Sequence, residues 1–158
     1  MDRNFAVTVT RADLKWQVRT FADDFSSLST SVKAVRELRA ESVAFALLCV
    51  DDEYFVIVRP TPKGVRLFIS DATMAVVDEF AAEILEEMDA DFPEVEEEDF
   101  AEVVGWPDGD FEILADVGVS EQVLSIICDE TDWWASEQLQ RLCEELGCED
   151  ELNEAAKL

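Results

Sequence analysis

The chain has 158 residues, 49% of them apolar, and a formal net charge of −26 at pH 7. This apolar content is ordinary for a globular protein, so it excludes a disordered chain, and no apolar run reaches the roughly 18 residues of a membrane span. Residues 67–140 carry 23 Asp and Glu without one Lys or Arg, which argues against nucleic acid as a main partner and favours a basic protein surface.

The first predicted elements are two strands and a helix. Apolar residues alternate over residues 5–10 and 15–20, and each alternation predicts a half-buried strand. The second strand directs Lys15, Gln17 and Arg19 to one side, which is typical of an edge strand. A serine-rich start then leads into apolar residues at helical spacing, namely Leu28, Val32, Val35 and Leu38.

Three further strands are predicted over residues 43–50, 54–59 and 65–69. The first is apolar on both sides, so it must be covered on both faces of the sheet. The turns between these strands, at residues 51–53 and 61–64, are short, and tight turns make successive strands antiparallel neighbours.

A helix is predicted over residues 71–88, with Asp71 as its cap or as an acid of its first turn, and with Val77 on its apolar face. The resulting order, β-β-α-β-β-β-α, predicts an α+β fold. A five-stranded antiparallel sheet with a helix on each face satisfies this order, as in roadblock and longin modules by analogy. Residues 1–88 are therefore predicted to form the sheet domain.

The remainder of the chain is predicted as an acidic linker and a small all-helical module. Residues 89–109 contain nine acids and no base, and like charges extend such a segment. Residues 110–158 suggest short helices over 111–116, after Ser120, from Asp132 or Ser136 to Gly147, and over 151–157.

Catalytic signatures are absent from the sequence. The chain has no histidine, which excludes Ser-His-Asp and Cys-His arrangements, and it has no phosphate-binding glycine motif. The four cysteines lack CxxC spacing and are expected to be buried free thiols, so no catalytic, cofactor or metal site is predicted. An enzyme that uses carboxylates alone is the least favoured reading, since acidic neighbours arise by chance among 38 acids.

Two sequence features suggest a protein-binding site. Trp133 and Trp134 are adjacent and cannot both face one small core, and tryptophan is enriched at binding hot spots. An uninterrupted acidic run lies in the linker upstream of a third tryptophan. The candidate partner-binding residues are Glu96, Glu97, Glu98, Asp99, Trp106, Trp133 and Trp134.

Basic residues lie almost entirely in the N-terminal half of the chain. A patch on the predicted sheet is expected to balance the acidic half, within the molecule or across a homodimer, in preference to forming a site for an anionic ligand. The residues concerned are Lys15, Arg19, Arg59, Lys63 and Arg66.

Residues 45–77 read FALLCVDDEYFVIVRPTPKGVRLFISDATMAVV. Through residues 50–55, 64–67 and 70–73, this stretch resembles the tRNA adenosine deaminase-associated proteins of actinobacteria. A weaker likeness continues through residues 111–118. The resemblance implies an accessory role beside the deaminase and brings no catalytic residues. The chain is not itself a zinc deaminase, which needs H-x-E and P-C-x-x-C motifs.

The first hypothesis is therefore a non-enzymatic accessory protein that binds a basic protein partner, which the resemblance implies is a tRNA adenosine deaminase. The alternative is an acidic nucleic-acid mimic that occupies the basic surface of a nucleic-acid-binding protein. No direct nucleic-acid or membrane partner is expected, and a homodimer remains open. The N-terminus has no signal-peptide pattern, which predicts a cytoplasmic location.

Overall fold

The computed structural model describes residues 3–40 and 42–158, and within them the chain forms an antiparallel sheet with helices on both faces. The strands lie in the order β2-β1-β3-β4-β5-β6. Their bounds are β1 Phe5–Ala12, β2 Lys15–Thr20, β3 Val43–Val50, β4 Tyr54–Thr61, β5 Gly64–Ile69 and β6 Asp108–Gly109. The α+β class is confirmed, whereas the predicted count of five strands was one too low.

The helices are α1 Leu28–Glu37, α2 Glu79–Glu87, α3 Glu121–Asp129, α4 Ala135–Leu146 and α5 Glu149–Ala156. Three short 3₁₀ helices cover Ala72–Val76, Glu97–Glu102 and Ala115–Val117. Ser120 caps α3 as predicted, since its hydroxyl accepts a hydrogen bond from the backbone N–H of Val123 at 3.2 Å. Gly147 ends α4 as predicted, with a φ of 99° that favours glycine. Over the described ranges, no helix combines the length and apolar character that a membrane crossing needs.

The sheet separates two apolar clusters, which we call the first face and the second face. The side chains of β3 alternate between them, with Leu48 directed to the first face and Leu47 to the second. Helices α1 and α2 both cover the first face, and α3, α4 and α5 cover the second. The prediction of one N-terminal helix on each face was therefore wrong. The second cover that β3 requires comes from the C-terminal helices.

The predicted strand pattern of β2 is confirmed. This strand lies at the edge of the sheet, and Lys15, Gln17 and Arg19 are exposed while Trp16 and Val18 are partly buried. Strand β6 was missed because it has only two residues, which pair with Phe68 and Ile69 of β5. A two-residue strand has no alternation to detect.

The helix predicted over residues 71–88 is interrupted. The 3₁₀ helix Ala72–Val76 comes first, Val77 is exposed, and α2 begins at Glu79. The interruption lies at Asp78, whose carboxylate accepts hydrogen bonds from the Phe80 backbone at 2.9 Å and from the Tyr54 hydroxyl at 3.0 Å. This contact with β4 fixes Asp78 as a cap, and a cap residue lies outside the helical conformation.

Residues 89–109 lead from α2 to β6 and contact the first face on the way. Phe100 packs against the first-face cluster, and Pro93 is buried. The backbone N–H of Ala72 donates to the carbonyl of Trp106 at 2.7 Å. The division of the chain into residues 1–88, 89–109 and 110–158 stays a prediction, to which the Discussion assigns a measurement.

Candidate protein-binding site

A cleft of about 250 Å³ lies at the end of the sheet where β3 turns into β4. Its walls come from the 51–53 turn, the end of β5, the segment that precedes β6, and the connection between α3 and α4. The residues that line it are Glu53, Ser70, Asp71, Val103, Val104, Gly105, Cys128, Thr131, Trp133 and Gln138. Segments that are far apart in the sequence therefore meet here.

Asp52 anchors the helical part of this site. Its side chain is buried, and its carboxylate accepts a hydrogen bond from the backbone N–H of Ser136 at 2.7 Å. Its carbonyl accepts a second hydrogen bond, from the N–H of Ala135 at 3.1 Å. Both donors belong to the first turn of α4, where backbone N–H groups lack helical partners and the helix dipole favours a negative charge.

This anchor explains where α4 begins. The sequence predicted a start at Asp132 or Ser136, whereas the helix begins at Ala135 with Trp134 in the cap position. Trp134 has no side-chain oxygen that can accept the free N–H groups, and Asp52 of a distant turn provides the acceptor instead. The helix thus begins one residue before the predicted Ser136, and the group that caps it is not local in sequence.

Two further contacts hold the tryptophan pair in place. The backbone N–H of Trp134 donates to the carboxylate of Glu137 at 3.0 Å. The buried amide of Gln138 donates to the carbonyls of Ile127 and Glu130, each at 3.2 Å. The connection that carries Trp133 and Trp134 is thus fixed at both the α3 and the α4 side.

The opposite wall of the cleft is fixed by close packing. Gly105 lies so near Asp71 that a Cβ atom at this position would overlap the Asp71 carboxylate. That carboxylate accepts a hydrogen bond from the Thr73 backbone at 3.0 Å and caps the Ala72–Val76 3₁₀ helix. Only glycine permits this approach, so Gly105 determines the path of the chain into Trp106.

The three predicted tryptophans are all exposed. The exposed fraction is 41% for Trp106, 39% for Trp133 and 48% for Trp134, and Val104 beside them reaches 74%. Trp133 and Val104 line the same cleft, while Trp134 immediately follows Trp133 and Trp106 immediately follows Gly105. Of the three tryptophans, Trp133 lines the cleft, and the other two are each one residue from a lining residue in the sequence. We call the three residues the tryptophan site.

The predicted acidic run lies on the neighbouring 3₁₀ helix. Glu97, Glu98 and Asp99 form its first turn, Glu96 occupies the position before it, and all four side chains are exposed. None of them takes part in an ion pair within the described residues. This 3₁₀ helix contacts the Ala72–Val76 3₁₀ helix, whose cap Asp71 lines the cleft. The acidic run and the cleft thus both adjoin the Ala72–Val76 3₁₀ helix.

The four cysteines are buried free thiols, as expected. Cys128 lines the cleft, and burial together with the charges of Asp129 and Asp71 raises the pKa of its thiol to about 12. A thiol with so high a pKa stays protonated near neutral pH and is a poor nucleophile. Cys128 therefore gives the cleft no reactive group.

Two of the predicted basic residues balance acids within the molecule. Arg59 forms a two-point ion pair with Asp116, with both N–O distances at 2.7 Å. Arg66 donates to Asp110 at 2.6 Å. For these two arginines, the expected charge balance within the molecule is confirmed.

A family model described as Rv3753c-like tRNA adenosine deaminase-associated protein matches residues 4–149. The chain belongs to this family. It is also 43% identical over 150 residues to Protein Rv3753c of Mycobacterium tuberculosis. The aligned region covers 94% of this chain and 85% of that protein. The resemblance drawn from residues 45–77 is thus confirmed. No solved structure matches the chain significantly, so the likeness to roadblock and longin modules stays an analogy.

Sequence reasoning overlooked Asp52 and Gly105, although both belong to the positions that shape the site. A partial signal existed for Asp52, because it lies in the Asp-Asp-Glu turn inside the stretch that resembles this tRNA adenosine deaminase-associated family. That signal indicated a turn and could not show that α4 begins against it, 84 residues later. Gly105 had no signal beyond its presence in a predicted linker.

Proposed function

We propose that this protein is a non-enzymatic accessory protein that binds a basic protein partner through the tryptophan site, and that the partner is a tRNA adenosine deaminase. The family description names such an association, and it supplies the candidate partner. The observation that carries the proposal is the exposure of Trp106, Trp133 and Trp134 on a backbone that other parts of the chain hold in place.

Exposed tryptophans on a fixed backbone suit protein binding for two reasons. Tryptophan is among the residues most enriched at binding hot spots, where it fills pockets of the partner. A site that is already ordered loses little conformational freedom on binding, so more of the contact energy remains as affinity. The anchors at Asp52, Glu137 and Gly105 provide that order.

The surrounding charge supports a basic partner. Asp71 and Glu53 line the cleft, and the acidic run from Glu96 to Asp99 lies on the adjoining 3₁₀ helix. Such a surface complements Lys and Arg, and charge complementarity mainly accelerates encounter, whereas buried aromatic contacts mainly set the dissociation rate.

The test measures association and dissociation rates with the purified tRNA adenosine deaminase of the same organism, by surface plasmon resonance. Raising the salt from about 0.05 M to about 0.5 M shortens the Debye length from about 14 Å to about 4 Å, so the association rate should fall steeply. A variant with four neutralised acids should lose most of that salt dependence. Its substitutions are Glu96→Gln, Glu97→Gln, Glu98→Gln and Asp99→Asn.

Trp134→Ala should leave the association rate nearly unchanged and raise the dissociation rate by about tenfold or more. Leu14→Ala is the matched apolar control, since Leu14 is exposed at the tip of the β1–β2 hairpin. Four exposed acids of the C-terminal helices give a control for the charge variant: Glu121→Gln, Glu144→Gln, Asp150→Asn and Glu154→Gln.

Two outcomes would contradict the proposal. Binding that responds neither to salt nor to the substitutions would place the interface elsewhere. Loss of binding in the four-acid variant, with unchanged kinetics for Trp134→Ala and competition by tRNA, would support the nucleic-acid mimic instead.

A further inference from the structure

The cleft that Trp133 lines has the size and charge to receive one small cationic group. Its volume of about 250 Å³ is below the roughly 300–1,000 Å³ of sites that enclose a whole small molecule, so it suits a single side chain. The carboxylates of Glu53 and Asp71 line it, and none of its described lining residues is a Lys or an Arg. The cleft therefore attracts a cation and repels an anion.

Gln138 presents an unused hydrogen-bond acceptor to the cleft. Its side chain is only 7% exposed, and its amide nitrogen donates to the carbonyls of Ile127 and Glu130. Its amide oxygen accepts no hydrogen bond from the described residues. Among these residues, the only fully buried side-chain polar atom without a partner is Oε2 of Glu151, so the Gln138 oxygen is open to the cleft that this residue lines.

Asp71 supplies a second acceptor together with a negative charge. One of its carboxylate oxygens, Oδ1, accepts hydrogen bonds from the backbone N–H and the hydroxyl of Thr73. The other oxygen, Oδ2, accepts none from the described residues, and Asp71 forms no ion pair with any of them. The Thr73 contacts and the close approach of Gly105 hold this carboxylate in place.

Trp133 is the one aromatic side chain among the described lining residues, and it is 39% exposed. The lining thus combines oxygen acceptors, negative charge and an aromatic wall. A guanidinium matches all three, because it is flat, permanently charged and rich in N–H donors. An ammonium is more strongly hydrated and has no flat face. A metal ion needs several ligands together, and the described residues form no such cluster.

We propose that the cleft binds the guanidinium of an arginine side chain, which the basic partner inserts against Asp71, Gln138 and Trp133. Asp71 then accepts a charge-assisted hydrogen bond, the Gln138 oxygen accepts a second one, and the indole of Trp133 stacks on the guanidinium. The source of the arginine rests on the proposed function, to which the cleft adds the type of side chain. Arginine is, with tryptophan, among the residues most enriched at binding hot spots.

The first measurement titrates the ¹⁵N-labelled full chain with Nα-acetyl-L-arginine N-methylamide at constant ionic strength. The chain has four tryptophans, so the indole N–H signals of a ¹H–¹⁵N correlation spectrum report which of them responds. The Trp133 signal, which Trp133→Phe identifies, should shift most. The corresponding citrulline compound, which lacks the charge, should bind at least about tenfold more weakly, and the lysine compound at least about threefold more weakly.

Asp71→Asn is the informative variant, because asparagine keeps an oxygen that can cap the 3₁₀ helix and loses the charge. It should weaken binding of the arginine compound at least about fivefold, and it should raise the dissociation rate of the deaminase by a similar factor. Asp132→Asn is the matched control, since it removes an exposed acid next to Trp133 that does not line the cleft. The control should change neither quantity appreciably, and the same spectra show that both variants are folded.

Three results would overturn this inference: equal shifts of all four indole signals, equal weakening in the two variants, or a lysine compound that binds as tightly as the arginine compound. Surface plasmon resonance with the deaminase separates the inference from the proposed function. If the arginine compound binds at Trp133 and the deaminase does not bind, the proposed function fails and the guanidinium site stands. If Trp134→Ala weakens deaminase binding and Asp71→Asn does not, the proposed function stands and the inference fails.

Discussion

The two faces of the sheet are covered in different ways. On the first face, α1 and α2 precede or follow the strands closely in sequence, and their apolar spacing is regular. On the second face the cover consists of α3, α4 and α5, which come after a long acidic segment. The same strands present Leu48 to one cover and Leu47 to the other.

This difference shows that a strand can require a cover without indicating where in the sequence the cover lies. The apolar character of β3 on both sides predicted two covering layers. The second layer is held by a small number of specific contacts, among them Asp52 with α4 and Arg59 with Asp116. Those contacts join residues that are far apart in the sequence, so local sequence patterns cannot predict them.

The largest effect on stability is expected when one buried leucine is removed from the helices that cover either face of the sheet. Leu85→Ala and Leu142→Ala should each lower the free energy of unfolding by about 2–5 kcal/mol, since both side chains are fully buried. Differential scanning calorimetry should show a single transition in both variants, because the sheet contributes side chains to both clusters.

A second, earlier transition in Leu142→Ala alone would show that residues 110–158 melt separately. That result would support the predicted division at residues 89–109 into separate domains. A single transition that shifts equally in both variants would mean that the two faces are one cooperative unit, and the acidic segment would then be a connection within one domain.

A smaller effect is expected for the anchor of α4. Asp52→Ala should cost about 1–3 kcal/mol, because a buried carboxylate that accepts the Ser136 N–H is removed and the helix terminus loses its partner. Asp51→Ala is the control with a matched backbone, since Asp51 and Asp52 have φ values of 53° and 56°. It removes only an exposed hydrogen bond from Asn4 at 3.0 Å, so its loss should be smaller. Urea unfolding measures both variants, and equal losses would show that Asp52 does not anchor the second face.

The smallest effect concerns the ion pair between Arg59 of β4 and Asp116 of the Ala115–Val117 3₁₀ helix. The Arg59 guanidinium lowers the pKa of Asp116 below its ordinary value, so the charged form is favoured in the folded state. A lowered folded-state pKa contributes stability above the ordinary carboxyl pKa of about 3.9, and that contribution is lost as the pH falls through the folded-state pKa.

Asp116→Asn should therefore cost less than about 1 kcal/mol near pH 7, because Asp116 is half exposed, and should cost nothing at a pH below the folded-state pKa. Urea unfolding at the two pH values measures this. Glu144→Gln removes an exposed pair within α4 and should show a smaller loss at pH 7. A loss for Asp116→Asn that is the same at both pH values would contradict the assigned role of the charge.

The parts of the fold that were predicted correctly depend on local patterns. The edge strand β2, the caps at Ser120 and Gly147, and the turn at residues 51–53 each follow from neighbouring residues. The errors concern tertiary contacts. Asp78 interrupts the predicted helix because it binds Tyr54, and both early helices share one face because the other is covered from far away.

The candidate site was predictable in composition and not in geometry. Residue type alone selected Trp106, Trp133 and Trp134 as candidates, because tryptophan is enriched at binding hot spots. The position of Trp133 in the cleft, and of the chain next to Trp106, depends on Asp52 and Gly105, whose contacts lie across the fold.

The contact between Asp52 and Ser136 spans 84 residues and has a consequence for the chain during its synthesis. At about 5–20 residues per second, the ribosome adds the residues between them in about 4–17 s, and the second face of the sheet stays bare for that time. All but one of the 23 acids of residues 67–140 are made in this same interval. We expect neighbouring nascent chains on one messenger to repel each other while their apolar surface is uncovered, and we expect this repulsion to limit aggregation before the helices close over that surface.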